Sequence, residues 1–141
     1  VGLVGARAGL RMVCTDLGEA VTQMAENLAR EGAEQSKLLH ACEFAWGAES
    51  DEELDRACVH APPRYVLCAD LIHDKTLHGS LLTTLAAFGR RGVSTVMTYQ
   101  RRDSEKEASF LSLCRSGPYA FKVTEHADYA TSGVALIELS P

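Results

Sequence analysis

The chain has 141 residues, 46% of them apolar, and 14 Lys and Arg against 19 Asp and Glu give a formal charge of -5. That length supports one domain with a real hydrophobic core, and the acidic balance argues against a broad nucleic-acid-binding surface. The longest apolar runs fall well short of the ~20 residues that span a bilayer, so a soluble protein with no membrane role is expected.

Val1, Val4, Gly5 and Ala8 recur at helical spacing, and Gly9 falls where a left-handed C-terminal cap belongs. "MVCTD" then reads as a strand buried on both faces of a parallel sheet, ending in Asp16. Val21, Met24, Ala25 and Leu28 mark one face of a second helix that stops near Gly32, and "KLLHACEF" is the next strand. Ser50 and Glu53 have capping-box spacing and open a short acidic helix before the "APPR" loop. "YVLCAD" reads as a strongly buried strand. Leu77, Leu81, Leu85 and Phe88 stripe the following helix, which closes at "GRRG". "VSTVMTY" is another strand, and Ser104 to Glu107 has the spacing to cap a helix that runs to Gly117-Pro118. Two strands around "YAFKV" and "GVALIEL", joined by a polar turn through Ala127 and Asp128, complete the chain.

Strand and helix alternate four times before the closing pair, with no repeat or linker between them. The expected class is α/β: a Rossmann-like, mostly parallel sheet with helices on both faces and an antiparallel C-terminal strand pair, in a single domain over residues 1–141. Ligands of such sheets bind beyond the carboxyl ends of the strands, where Asp16 and Asp70 both stand, so the two carboxylates are expected to approach one crevice. Asp16 suits the two hydroxyls of a ribose, or else the N-terminus of the next helix. Trp46, the only tryptophan, follows a strand and can wall in a purine or pack in the core. Asp70 serves that crevice or caps the next helix. His73 and His78 lack a third ligand at matching spacing, so no metal is expected. The glycines of "GLVGARAG" suit close helix packing better than a phosphate loop. Tyr99 and Arg101 stand at a strand end, where they shape a site or simply pack. Five cysteines, Cys14, Cys42, Cys58, Cys68 and Cys114, are odd in number with no C-x-x-C pair. They read as buried, reduced thiols, which points to the cytoplasm or nucleus.

Four blocks, "VGLVGARAGLRMVCTDL", "FAWG", "YVLCADLIHDKTLHGSLLTTL" and "TYQRRDSEKEASFLSL", together resemble the seven-strand S-adenosylmethionine-dependent methyltransferases, in their protein-lysine branch. The resemblance runs from Val1 to about Pro141. It implies a protein-lysine N-methyltransferase that uses S-adenosylmethionine, requires no metal, and acts as a monomer on a partner protein carrying the target lysine. It also implies that Asp16, Trp46 and Ala69 line the cofactor, and that Asp70 opens the Asp-x-x-Tyr motif beside the substrate lysine.

Two departures from the family pattern stand out. His73 occupies the motif position where the family usually has tyrosine, and it is expected to line the lysine channel in that residue's stead. The first strand and glycine loop of the family are expected immediately before Val1, in the sheet between the strands ending at Asp16 and Asp70, so the chain reads as an N-terminally truncated lysine methyltransferase whose own activity can differ from that of the complete enzyme, with a non-catalytic interaction module as the alternative. A nicotinamide-dependent dehydrogenase shares the ribose-binding acid, but the Trp-Gly and "CADLIH" blocks argue against it.

Overall fold

The computed structural model describes residues 1–31, 37–58, 61–127 and 133–141. These residues cluster into two compact units, Val1–Ala45 with Asp51–Pro62 and Trp46–Ser50 with Pro63–Pro141.

The first unit pairs two parallel strands, β1 (Met12–Asp16) and β2 (Leu39–Glu43), in register from Met12 opposite Leu39 to Asp16 opposite Glu43. Helix α1 (Gly2–Arg7) lies close on them because its packing face lacks side chains: a Cβ at Gly2 would collide with Cys14 Sγ, and one at Gly5 would meet Met12. The helix ends in a Schellman motif. Gly9 takes φ +83°, its N–H donates to Ala6 and the Leu10 N–H donates to Gly5, so the last carbonyls find donors as the glycine spacing predicts. In α2 (Gly18–Ala29), Val21, Met24 and Leu28 form the half-buried stripe, whereas Ala25 is exposed. The expected stop of this helix near Gly32 lies outside the described residues. α3 (Asp51–Ala57) is the short acidic helix and buries Leu54.

The second unit contains β3 (Tyr65–Ala69), a 3-10 turn at Lys75–Leu77, α4 (His78–Arg90), β4 (Ser94–Gln100), α5 (Ser104–Arg115), β5 (Lys122–Glu125) and β6 (Val134–Ser140). Its sheet runs β3-β4-β6-β5. β3 and β4 are parallel, and β6 pairs antiparallel with both β4 and β5, so the last strand of the chain sits inside the sheet and β5 takes the edge. The polar turn expected between the final strands falls largely on residues 128–132, outside those described.

Cys68, Met97, Tyr99, Ala135, Ile137 and Leu139 alternate along their strands and therefore share one face of the sheet. Leu81, Leu82 and Leu85 of α4 and Phe110 and Cys114 of α5 pack against that same face, which holds the core of the unit. Burial pushes the thiols of Cys68 and Cys114 up to about 12, so both are inert core groups; Cys14, Cys42 and Cys58 are only partly buried. His78 belongs to the core too: its Nε2 donates to the Ile72 carbonyl at 3.0 Å and its ring meets Phe110 edge-on.

Four sequence expectations need correction. β1 has no fully buried residue, and in β3 only Cys68 is buried while Tyr65 and Leu67 are 58% and 45% exposed. The reason for β3 is that, among the described residues, it stands at the edge of its sheet, paired with β4 alone, and that its core contacts come from one face only. Leu77 leaves the stripe of α4 because the chain tightens into the 3-10 turn there, and it is 40% exposed. The cap of α5 is Asp103 rather than Ser104, since the Asp103 carboxylate accepts from the amides of both Glu105 and Lys106.

A one-sided core has a measurable signature. Phe110→Ala, at a side chain with no exposure, is expected to cost about 3–5 kcal/mol. Tyr65→Ser, at an aromatic of the open face, is expected to cost less than about 1 kcal/mol. Urea unfolding midpoints at constant m-value distinguish the two.

Candidate functional site

Because β3 and β4 are parallel, their carboxyl ends lie side by side. The ladder continues one step past β3: the Asp70 N–H donates to the Thr98 carbonyl at 2.7 Å. Asp70 itself then turns into the left-handed region, φ +56°, one of two non-glycine residues described with positive φ. Aspartate tolerates this conformation better than most residues because its short side chain can bond locally. Here the carboxylate crosses to the neighbouring strand end, where Oδ1 accepts from the Gln100 amide at 3.3 Å and Oδ2 lies 3.4 Å from Arg102 Nη2. A helix-capping role for Asp70 is excluded by this geometry, since Asp74 does that work: its Oδ1 accepts from the Thr76 amide and hydroxyl at 2.9 and 2.7 Å.

A cavity of about 200 Å³ opens beside Asp70, with Ile72, His73, Gln100, Arg102, Asp103, Lys106 and Glu107 around it. His73 Nδ1 donates to the Asp70 backbone carbonyl at 3.2 Å, which ties the ring to the start of the loop. Two contacts tie the loop after β3 to the first turn of α5: Lys106 Nζ donates to the His73 carbonyl at 3.3 Å, and Lys75 pairs with Glu105 at 3.0 Å. The structure therefore brings Asp70 and His73 into one cavity, and Ala69 immediately precedes them as an exposed residue at the end of β3.

Trp46 belongs to the same unit, partly buried against its core. The Gly47 that follows it takes φ +103°, a conformation suited to glycine, and its amide donates at 2.8 Å to the hydroxyl of buried Thr84 on α4. The Trp-Gly turn is thus pinned to a core helix, leaving part of the indole exposed. Asp16 belongs to the first unit, exposed at the carboxyl end of β1. Its Oδ1 accepts from the Leu17 amide at 2.8 Å, and Leu17, not Asp16, is the N-cap of α2, which has no side-chain cap. Tyr99 is a core side chain whose hydroxyl has no hydrogen-bond partner among the described residues; burial, with Glu107 close by, pushes its pKa up. Arg101 pairs with Glu107 at 3.5 Å. No three His, Cys, Asp or Glu side chains cluster as metal ligands among the described residues.

Gln100, Arg102, Asp103 and Lys106 escaped the sequence reading as members of this cavity. Their signal was the dense charge of "YQRRDSEKE" directly after a strand, which becomes meaningful only once that strand is known to run parallel to the one ending at Asp70.

A mixed α/β arrangement in which parallel strand ends border a cavity and an antiparallel strand is inserted next to the edge is consistent with a Rossmann-like methyltransferase fold. The family profile described as lysine methyltransferase matches residues 1–116, and the chain belongs to that family. No curated protein sequence matches it.

The carboxylates of Asp74 and Asp103 are held below the usual 3.8, in both cases chiefly by hydrogen bonds they accept, from Thr76 and from the Lys106 amide respectively. A lowered folded-state value means that these contacts contribute stability fully above the unfolded value and lose it as pH falls through the folded one. The amide proton shifts of Thr76 and Lys106 are therefore expected to titrate with midpoints below 3.8. Midpoints at or above that value would contradict the capping geometry.

Proposed function

We propose that the chain carries the chemistry of a protein-lysine N-methyltransferase, moving a methyl group from S-adenosylmethionine to a lysine of a partner protein in the cytoplasm or nucleus, as a monomer. Membership of the lysine methyltransferase family supports the reaction class. The likeness of its motif blocks to those of valosin-containing-protein lysine methyltransferase and its sister enzymes supports a protein substrate. The observation that carries most weight is Asp70, a strand-end acid in a left-handed conformation whose carboxylate borders a cavity of about 200 Å³.

The residues suit the cofactor piece by piece. The exposed Asp16 carboxylate can accept from both hydroxyls of a ribose, the partly exposed Trp46 indole offers a flat apolar wall for a purine, and Ala69 is small enough to let a ligand approach the end of β3. When bound, S-adenosylmethionine supplies an electrophilic methyl group on a sulfonium sulfur.

The work left to the protein is positional. Asp70 accepts a hydrogen bond from the target amine and aims its lone pair, and the His73 ring walls the channel where the family has tyrosine. Holding the reacting atoms ~3 to 3.5 Å apart removes much of the entropic barrier of a bimolecular transfer. No strong acid or base is required. The amine must arrive uncharged, since a protonated nitrogen has no lone pair, and lysine in water has a pKa of ~10.4. Its proton leaves to solvent, to which the half-exposed Asp70 side chain and its neighbours are open.

The two acids have separable roles, and the separation is measurable. Asp16→Ala is expected to weaken S-adenosylmethionine binding by about 10- to 100-fold, the loss of charge-assisted hydrogen bonds to the ribose. Asp70→Ala is expected to leave that affinity intact while lowering kcat on a lysine-bearing substrate by about 100-fold. Calorimetric titration with the cofactor and mass spectrometry of the methylated product read the two effects. Full turnover in Asp70→Ala would defeat the proposal, as would unchanged cofactor binding in Asp16→Ala.

A further inference from the structure

Every carboxylate around the Asp70 cavity has a basic partner. Asp70 Oδ2 faces Arg102 at 3.4 Å, Asp103 Oδ2 faces Lys106 Nζ at 3.7 Å, and Glu107 Oε2 faces Arg101 at 3.5 Å. Just beyond them, Glu105 is held by Lys75 at 3.0 Å, Asp74 is engaged by Thr76, and Glu125, on β5, is held by Arg115 at 2.6 Å. His73, the remaining titratable side chain at the cavity, has its Nδ1 on the Asp70 carbonyl.

Arg102 differs from the other cations in how it is held. Its Nε and Nη2 donate to Gln100 Oε1 at 2.9 and 2.6 Å, so a neutral carbonyl fixes the guanidinium beside Asp70 independently of the acid's own attraction. A guanidinium held in this way presents a planar fork of donors that matches a carboxylate.

The consequence concerns which form of an amine the cavity prefers. An unmatched carboxylate attracts an ammonium and so stabilises the form of lysine that cannot react. A carboxylate already matched by a fixed guanidinium keeps lone pairs for hydrogen bonding, yet gives an arriving cation little net attraction, and the guanidinium repels it. A neutral amine meets no such opposition. We infer that Arg102 is a positioning residue that keeps Asp70 charge-matched, so that the cavity selects the uncharged form of a lysine amine. This rests on the methyltransferase reading for its purpose, because only the neutral amine can attack a methyl donor.

The test needs no turnover. n-Butylamine, a stand-in for the end of a lysine side chain, is titrated into the isotope-labelled chain at low salt while the amides of Asp70, His73 and Gln100 are followed by NMR. Wild type is expected to bind it more tightly as pH rises from 7 to 9. Arg102→Gln is expected to bind it about 5- to 10-fold more tightly than wild type at pH 7, with the rise toward pH 9 flattened, since the uncompensated Asp70 now attracts the cation. Arg102→Lys, which keeps the charge, is expected to follow wild type, and Gln100→Ala, which frees the guanidinium, to fall between them. Arg102 is 61% exposed, so none of these changes threatens the core. No gain at pH 7 in Arg102→Gln, the same gain in Arg102→Lys, or no amine binding by wild type at any pH would overturn the inference. A parallel assay of methyl transfer from S-adenosylmethionine to lysine peptides tests the enzyme reading separately: its failure alongside the expected amine titrations would remove the reaction and leave the charge selection standing.

Discussion

The parallel pairing of β3 with β4 is the constraint on which the rest of the second unit depends. It brings two strand ends together, so that the chain leaving one strand at Asp70 meets the chain leaving the other at Gln100. An antiparallel pair would have put the end of one strand beside the start of the other, and the Asp70 carboxylate would have had no Gln100 amide to reach. The left-handed turn at Asp70 is maintained against its conformational cost by that amide, by the ladder bond to Thr98 and by the His73 ring on its carbonyl.

The pairing is in turn held by a core that is entirely on one side. Alternation in β3, β4 and β6 sends Cys68, Met97, Tyr99, Ala135, Ile137 and Leu139 toward α4 and α5, and burial of those side chains is the main stabilising term. The contacts between the loop after β3 and α5 are exposed and contribute less than about 1 kcal/mol each. Their importance is geometric. Lys75 and Lys106 fix where the loop lies, while the buried face fixes that there is a sheet for it to leave.

The sequence carried the order of elements well, because that order is written in local periodicities: 3.6 for Leu81, Leu85 and Phe88, and 2 for Val134 through Ser140. It carried burial of individual strands poorly. "MVCTD" and "YVLCAD" look equally suited to a sheet interior, and composition cannot tell a strand with two neighbours from one with a single neighbour, so the exposure of Tyr65 and Leu67 was invisible. Ser104 and Glu107 had the right spacing for a capping box, but the choice between Ser104 and the adjacent Asp103 depends on backbone angles that no residue pattern encodes. At the site, Asp70 and His73 were legible because they lie in one short motif. Arg102 and Lys106 were not, since they reach the cavity only through a pairing between strands 29 residues apart in register.

Two features of the site interlock. The Asp70 carboxylate offers lone pairs to the N–H of an amine, and Arg102, held by Gln100, limits how strongly that carboxylate attracts the protonated form. The most direct measurement is an isotope-edited NMR experiment on the chain with S-adenosylmethionine carrying a carbon-13 label in its sulfonium methyl. Contacts from that methyl to Asp70 and His73 are expected if methyl transfer takes place at this cavity. Saturable binding with the methyl group in contact only with residues remote from Asp70, or no saturable binding, would contradict it.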